Sequence, residues 1–263
     1  MAYNKIGVIG AGVIGEALIG VLLKSGYDKN TIFILEKGLD RLAEILRKYR
    51  VQELHSLREI DVLFIAVKPQ DFLLTLSAWS QSEFSNKLVV SFAAGVKTHK
   101  INEIVGNSAR VIRVMPNTPI TVGRGMSAIS LGQGAKTEDQ EWLRKVLSEV
   151  SKVILVPEEL QDAVTATSGS GPAYFFAFTE AIEAAAKRLG LSDGDSKILA
   201  RETLIGAALL ADGSGKELSN LRENVTSPNG TTAAALMKFE KSGFEELVFD
   251  AMKAARDRSV ELS

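Results

Sequence analysis

IGVIGAGVIG, residues 6–15, combines a short apolar run with three glycines, and a helical pattern follows as far as Lys24. This order predicts a strand, a tight turn and a helix. In the GxGxxG motif the first glycine permits the turn, the second lets the backbone approach a pyrophosphate, and the third lets the helix pack closely on the strand. The helix N-terminus adds free N–H groups that favour phosphate. The alternative is a glycine-rich connection that binds nothing. The residues predicted to contact a dinucleotide are Ile9, Gly10, Ala11, Gly12, Val13, Ile14 and Gly15.

Composition excludes several classes of site. The 263 residues are 46% hydrophobic and 24% charged, with a formal net charge of −1, so nothing favours nucleic acid or an acidic membrane. No cysteine is present, which excludes disulfides, thiolate nucleophiles and cysteine–metal sites. The two histidines, His55 and His99, lie far apart in polar surroundings, so we expect neither a metal site nor a serine-type triad.

The N-terminal residues MAYNK lack the basic leader and apolar core of a signal peptide. No apolar run approaches the length that crosses a membrane. The sequence therefore predicts a cytoplasmic protein with no membrane partner.

The first half of the chain has the pattern of a doubly wound α/β domain, which we place at residues 1–157. Continuous apolar runs predict buried strands, and charged helical patterns lie between them. Small residues at the ends of two strands leave room for a cofactor, because ligands of open α/β sheets bind at those ends. Two prolines in PNTP, residues 116–119, predict an extended loop. The predicted strands span residues 31–35, 62–67, 88–92, 111–115, 126–130 and 152–156.

Glu36 and Lys37 follow the second predicted strand directly. An acidic residue at this position can hold the ribose hydroxyls of NAD, whereas a cation can meet the 2′-phosphate of NADP. A third interpretation is that both residues are simply exposed at a turn. The sequence leaves the choice between NADH and NADPH open.

Residues 158–263 lose the strand pattern and predict an all-helical second domain. The predicted helix at residues 173–189 is apolar on most faces, so it must be buried. It is either the centre of a monomeric bundle or covered by a second chain, and we favour the second because so short a helical domain offers few layers. Thr231 and Thr232 open a later helix whose N–H groups could bind an anion, although ordinary N-capping is the better explanation of this segment taken alone.

Six segments together resemble the pyrroline-5-carboxylate reductase family. They span nearly the whole chain in the family's order, and GSGPAY and SPNGTT are the most specific. The segments are IGAGVIG (9–15), AVKPQ (66–70), SFAAGV (91–96), RVMPNTP (113–119), DAVTATSGSGPAYFF (162–176) and NVTSPNGTT (224–232).

The resemblance implies a Rossmann-type N-terminal domain and a C-terminal all-helical dimerisation domain, with an active site between domains and a homodimer or larger homo-oligomer. The implied reaction is hydride transfer from NADPH or NADH to 1-pyrroline-5-carboxylate, giving L-proline. The further cofactor contacts that the resemblance implies are Ala66, Val67, Lys68, Pro69, Phe92, Ala93, Ala94 and Asn224, beside Glu36 and Lys37. The implied substrate contacts are Glu158, Gly230, Thr231 and Thr232, and Thr232 is the implied catalytic hydroxyl.

Three departures from the family pattern matter. Glu36 argues against the family's usual preference for NADPH. Asn229 stands where the family usually has glycine, and asparagine tolerates the left-handed conformation that a tight turn needs. The asparagine that the family usually places near residues 53–56 is missing, so that adenosine contact is not carried over.

Two other functions remain as alternatives. A β-hydroxyacid-type dehydrogenase shares the two-domain plan, but it needs a lysine early in the long helix, where this chain has none before Lys187. A non-catalytic dinucleotide-sensing regulator would not need intact GSGPAY and SPNGTT segments.

Overall fold

The computed structural model describes residues 3–262 and divides the chain into two compact units. The first unit runs to Ser170 and takes in the chain from Ala255 onward, and the second is Gly171–Ala254. The change of sequence pattern placed the boundary at Pro157, 13 residues before Ser170, so the exact division of domains stays a prediction.

The first unit contains one eight-stranded sheet in the order β3-β2-β1-β4-β5-β6-β7-β8. Its strands are β1 (Ile6–Ile9), β2 (Ile32–Leu35), β3 (Gln52–Glu53), β4 (Val62–Ile65), β5 (Leu88–Ser91), β6 (Arg110–Met115), β7 (Gly125–Leu131) and β8 (Ser151–Leu155). Its helices are α1 (Val13–Lys24), α2 (Leu39–Tyr49), α3 (Pro69–Ser77), α4 (Thr98–Val105), α5 (Thr137–Leu147) and α6 (Gln161–Val164).

Alternate side chains of the central strands enter two separate apolar cores, one on each face of the sheet. Val62 and Phe64 of β4 lie in one core, whereas Leu63 and Ile65 lie in the other. Because both faces are covered by helices, every residue of β4 and β5 is buried, which explains why these strands read as continuous apolar runs.

Strand β7 runs antiparallel to β6, whereas the other neighbouring strands of the sheet are parallel. Only residues 116–124 connect β6 to β7, and so short a connection cannot carry a crossover helix. Within it Thr118–Val122 forms a 3₁₀ helix after an extended Asn117, so the predicted extended loop at residues 116–119 is only partly correct.

The glycines of SGSGP, residues 168–172, are typical of a break before the apolar helix, but the structure has none there. Thr165–Gly169 forms a π-helical turn that continues α6 toward the next helix, and the N–H of Ser170 donates to the carbonyl of Thr165. An added Cβ at Gly169 would lie 2.4 Å from Met115 Cε, so this glycine permits close packing instead of ending the helix.

The second unit is helical. It holds α7 (Gly171–Arg188), α8 (Asp193–Gly213), α9 (Leu218–Asn224), α10 (Thr231–Lys241) and the first part of α11 (Phe244–Glu261). Phe175 and Phe176 of α7 are 62% and 61% exposed in the single chain. An apolar helix with such exposed rings needs a further surface to cover it.

Candidate cofactor cavity and substrate segment

The three glycines of the first loop have the geometry that dinucleotide binding requires. Gly10 has a φ of +94°, and an added Cβ there would lie 2.9 Å from the Ala66 carbonyl. A Cβ at Gly15 would lie 1.8 Å from the carbonyl oxygen of Gly10, so no other residue allows α1 to pack this closely. Gly12 faces open space, and no side chain caps the α1 N-terminus that it precedes.

A cavity of about 660 Å³ opens above this loop at the carboxyl ends of β1, β2 and β4. This is where ligands of open α/β sheets bind. The bare helix N-terminus and the open space at Gly12 fit a diphosphate, so the residues present suit a dinucleotide. Of the predicted cofactor residues, the lining contains Ile9, Gly10, Ala11, Gly12, Glu36, Lys37, Ala66, Val67 and Lys68.

Other predicted cofactor residues lie outside the cavity lining. Val13, Ile14 and Gly15 form the first turn of α1, Pro69 begins α3, and Asn224 ends α9 in the second unit. Phe92 and Ala93 are buried beyond β5, and Ala94 follows them half-buried. Their contacts to a cofactor stay predictions. The lining adds Arg41, Asp71 and Trp79, which the sequence analysis did not single out.

Glu36 lies where an acidic ribose ligand belongs, and its carboxylate is held by the backbone. Its Oε2 accepts from the N–H of Ala11 at 2.7 Å, and its Oε1 accepts from the N–H of Gly38 at 2.9 Å. The carboxylate therefore lies beside the glycine loop, at the N-terminus of α2.

Lys37 and Arg41, two of the three cations that line the cavity, are paired with carboxylates. Lys37 Nζ lies 3.0 Å from Asp71 across the cavity, although Lys37 is largely exposed. The three nitrogens of the Arg41 guanidinium donate to the carbonyl of Ala11, to Glu44 and to Glu16.

Glu158, predicted to lie near the substrate, takes part in a network within the first unit. Its carboxylate accepts from the N–H and the hydroxyl of Thr98 at 2.7 and 2.6 Å. Its Oε1 lies 3.6 Å from Arg113, which is 1% exposed, and Asp162 lies 3.9 Å from the same guanidinium. Burial lowers the pKa of Arg113, whereas Glu158 and Asp162 oppose that shift. Glu158 thus compensates a buried charge.

Asn117 of the PNTP segment joins two neighbouring segments of the first unit. Its amide nitrogen donates to the Ser168 carbonyl at 3.1 Å, and its oxygen accepts from the N–H of Met126 at 2.8 Å. The π-helical turn, which contains Ser168, is therefore tied to the carboxyl end of β6.

The SPNGTT segment places an uncapped helix N-terminus in the second unit. Asn229 has a φ of +58°, which confirms that asparagine adopts the left-handed conformation expected there. The N–H of Gly230 donates to the Ser227 carbonyl at 3.0 Å, so Gly230 is not the free donor that the family resemblance implied. No side chain caps α10, and the N–H groups of Thr231 and Thr232 lie in its unpaired first turn.

Among residues 3–262, no group of three or more His, Asp or Glu side chains is arranged to hold a metal ion. No helix in this range is long and apolar enough to cross a membrane.

Comparison with known proteins identifies the family. The chain is 38% identical over 266 residues to a pyrroline-5-carboxylate reductase of Corynebacterium melassecola, covering 98% of each chain. It is 37% identical to the Pseudomonas aeruginosa enzyme of the same name, over 100% of this chain and 98% of that one. This chain belongs to the pyrroline-5-carboxylate reductase family. A family model described as pyrroline-5-carboxylate reductase dimerisation matches residues 158–262, and one described as NADP oxidoreductase, coenzyme F420-dependent, matches residues 5–95.

Solved structures of the family agree. A pyrroline-5-carboxylate reductase from Coxiella burnetii matches with a TM-score of 0.90 and 33% identity over 99% of this chain and 98% of that one. The Plasmodium falciparum enzyme, solved with NADP bound, matches with a TM-score of 0.85 and 28% identity over 98% of both chains. These matches confirm the predicted family, fold class and reductase activity, and the dimerisation model confirms the predicted homo-oligomer.

Proposed function

We propose that this pyrroline-5-carboxylate reductase binds NAD(P)H over residues 10–12. The N-terminus of α10 then binds the carboxylate of 1-pyrroline-5-carboxylate, and reduction of the C=N bond yields L-proline. The observation that carries the cofactor assignment is the open space at Gly12, facing a cavity at the carboxyl ends of the strands. The NADP in the Plasmodium relative supports the cofactor class. We also propose a cytoplasmic location for the protein.

The first unit positions the cofactor. The nicotinamide ring, when bound, supplies the hydride that attacks the carbon of the C=N bond. Uncapped N–H groups at the start of α1 hold the diphosphate, and the walls near Ala66 and Val67 leave room for the rest of the cofactor.

The second unit supplies substrate contacts from a single short segment. The N–H groups of Thr231 and Thr232 bind the carboxylate, and the half-buried Thr232 hydroxyl orients the ring nitrogen. Gly230 has a different role from the one first expected: a Cβ there would lie 3.1 Å from the Ser227 carbonyl, so its lack of a side chain keeps the turn tight.

The reaction needs no strong acid from the protein. The imine can enter protonated, so that hydride addition to carbon leaves a neutral amine and no further proton must be delivered. Lys68 is the rival proton donor; it lies exposed at the N-cap of α3 and lines the cofactor cavity. Its position favours a cofactor contact.

A spectrophotometric assay tests the activity. Oxidation of NADH or NADPH in the presence of 1-pyrroline-5-carboxylate, with L-proline identified as product, is the expected result. Absence of turnover with both nucleotides would overturn the assignment.

Replacing Thr232 tests the substrate segment. Thr232→Ala should lower kcat by about 10²- to 10³-fold, the usual loss when one positioned donor is removed from a transition state. Affinity for the dinucleotide should barely change. The matched control is Thr226→Ala, because the Thr226 hydroxyl donates only to the Arg222 carbonyl just before the segment. A near-normal kcat in Thr232→Ala with a lowered melting temperature would assign Thr232 a structural role.

A further inference from the structure

The end of the cavity beside β2 carries an unusual balance of charge. Carboxylates and cations alternate there: Glu36 and Asp71 line the cavity together with Lys37, Arg41 and Lys68. Outside the lining, Glu16 and Glu44 pair with Arg41, and Lys48 pairs with Glu16. This region is where a dinucleotide places its adenosine ribose, and the 2′-phosphate of NADPH would add negative charge beside the carboxylate of Glu36.

Glu36 cannot easily move away from such a phosphate. Its two carboxylate oxygens each accept a backbone N–H, at 2.7 and 2.9 Å, from residues on either side of the ribose position. Hydrogen bonds from N–H groups to a carboxylate are among the stronger ones in proteins. A neutral ribose with two hydroxyls can donate to this carboxylate, whereas a phosphate would repel it.

Arg41 is the cation of the cavity best suited to a phosphate, since a guanidinium binds phosphate oxygens in pairs. In this structure Glu44 Oε2 accepts from its Nη1 at 2.7 Å, Glu16 accepts from its Nη2, and the Ala11 carbonyl accepts from its Nε at 2.9 Å. Glu16 is itself fixed by Lys48 at 2.7 Å and by the hydroxyl of Tyr49 at 2.9 Å.

Lys37 offers little compensation for the negative charge of a 2′-phosphate. It is the cation that the sequence suggested for a 2′-phosphate, but its ammonium lies 3.0 Å from Asp71. The pair is exposed and therefore weak, so a phosphate could displace Asp71. Even then a single flexible ammonium would face both Glu36 and the phosphate.

We propose that this reductase prefers NADH, and that Arg41 is a specificity-determining residue kept from the 2′-phosphate by Glu16 and Glu44. This inference rests on the proposed dinucleotide site and goes beyond it by naming the cofactor. Because like-charge contacts at a binding interface are costly, we expect NADH to bind roughly 10- to 100-fold more tightly than NADPH.

Binding measured without substrate tests the preference directly. Dissociation constants for NADH and NADPH are obtained from nucleotide fluorescence, or from calorimetry, on the full-length assembled protein at one ionic strength. Equal affinities, or tighter NADPH, would overturn the inference while leaving the reductase activity intact. If neither nucleotide bound, the proposed cofactor site itself would be wrong.

Variants then separate the repulsion by Glu36 from the pairing of Arg41 with Glu44. Glu36→Ser should tighten NADPH roughly tenfold relative to NADH by removing the like charge. Glu44→Gln should tighten NADPH by about two- to fivefold, the range of an exposed ion pair, and should leave NADH unchanged. Asp40→Asn is the matched control, because it removes one negative charge from an exposed position of α2 that has no contact to Arg41 among those described.

A double variant identifies Arg41 as the group that is released. In Glu44→Gln/Arg41→Gln the gain for NADPH should disappear, since no guanidinium remains to bind the phosphate. If the gain persists, or if Asp40→Asn produces the same gain, the effect is one of general charge and Arg41 is not the specificity-determining residue.

Discussion

Replacing Glu158 by glutamine distinguishes a structural carboxylate from a substrate ligand. The family resemblance places Glu158 near the substrate, whereas in the structure its oxygens accept from Thr98 and face the buried guanidinium of Arg113. Glutamine keeps the size of the side chain and one oxygen that can accept from Thr98. It removes the negative charge, so the variant isolates the ionic contribution.

The size of the effect follows from the surroundings of Arg113. Breaking a fully buried ion pair costs about 3–5 kcal/mol, because the remaining charge is left uncompensated. Here Asp162 stays at 3.9 Å from the guanidinium, and Glu158 is 22% exposed, so water reaches it. Both facts reduce the cost, and we expect a loss of about 2 kcal/mol in unfolding free energy. For a unit of this size that corresponds to a fall of about 4–8 °C in melting temperature.

Thermal unfolding and steady-state kinetics on the same preparation form the assay. The matched control is Glu159→Gln, because Glu159 is adjacent, carries the same charge and is exposed to solvent. The control should leave both the melting temperature and kcat/KM unchanged. In Glu158→Gln the melting temperature should fall, and KM for 1-pyrroline-5-carboxylate should stay near the wild-type value at a temperature where the protein is folded.

The opposite pattern would refute this reasoning. A Glu158→Gln enzyme with an unchanged melting temperature and a KM raised tenfold or more would show that the carboxylate binds the substrate. Arg113 would then be compensated by Asp162, whose Oδ1 already accepts from the Ser259 hydroxyl at 2.7 Å.

Three further outcomes are expected. Gly15→Ala should abolish dinucleotide binding in a titration, because its Cβ would lie 1.8 Å from the Gly10 carbonyl, and binding at wild-type affinity would contradict the loop geometry. The melting temperature should rise with protein concentration as the exposed rings of α7 are covered, and a concentration-independent value together with a monomer in light scattering would contradict this. The pKa of Glu16 is lowered from 4.5 to about 2, chiefly by the hydrogen bond from Lys48, so Glu16→Gln should destabilise the protein at neutral pH. The difference in unfolding free energy between the wild type and this variant should shrink as pH falls from about 4.5 toward 2. A difference that does not depend on pH would contradict the assignment.

The elements predicted most accurately are those with a strong local signal. The predicted strands at residues 62–67 and 88–92 agree with β4 and β5 to within two residues. The glycine loop could be predicted because Gly10 needs a positive φ and Gly15 packs against the carbonyl oxygen of Gly10. Such requirements act within a few residues, so the order of residues is sufficient to express them.

Elements without a local signal were missed. The two-residue strand β3 forms because Phe33 and Ile34 of β2 offer a free edge, and its own residues Gln52 and Glu53 are exposed and polar. The helices α3 and α4, of nine and eight residues, are short and were not predicted. Their existence depends on packing against the sheet, which a single segment does not reveal.

The electrostatic partners were the hardest to predict, because they come from distant parts of the chain. Thr98, Arg113 and Glu158 meet only when α4, β6 and the segment after β8 are assembled. A signal for Arg41 did exist, since a basic residue near the end of the second strand is a known position for binding a 2′-phosphate. The sequence could show its charge but not that Glu16 and Glu44 already neutralise it.

The difference between local backbone signals and long-range side-chain partners also explains how the cofactor preference can vary within one fold. In the proposed site the diphosphate is bound by backbone N–H groups beside glycines that α1 needs in order to pack on β1, so we expect this part to tolerate little change. The proposed ribose end is formed by Glu36 and by side chains of α1, α2 and α3, which can be replaced one at a time. We therefore expect selectivity between NADH and NADPH to depend on these side-chain charges, and the capacity to bind a dinucleotide to depend on the backbone.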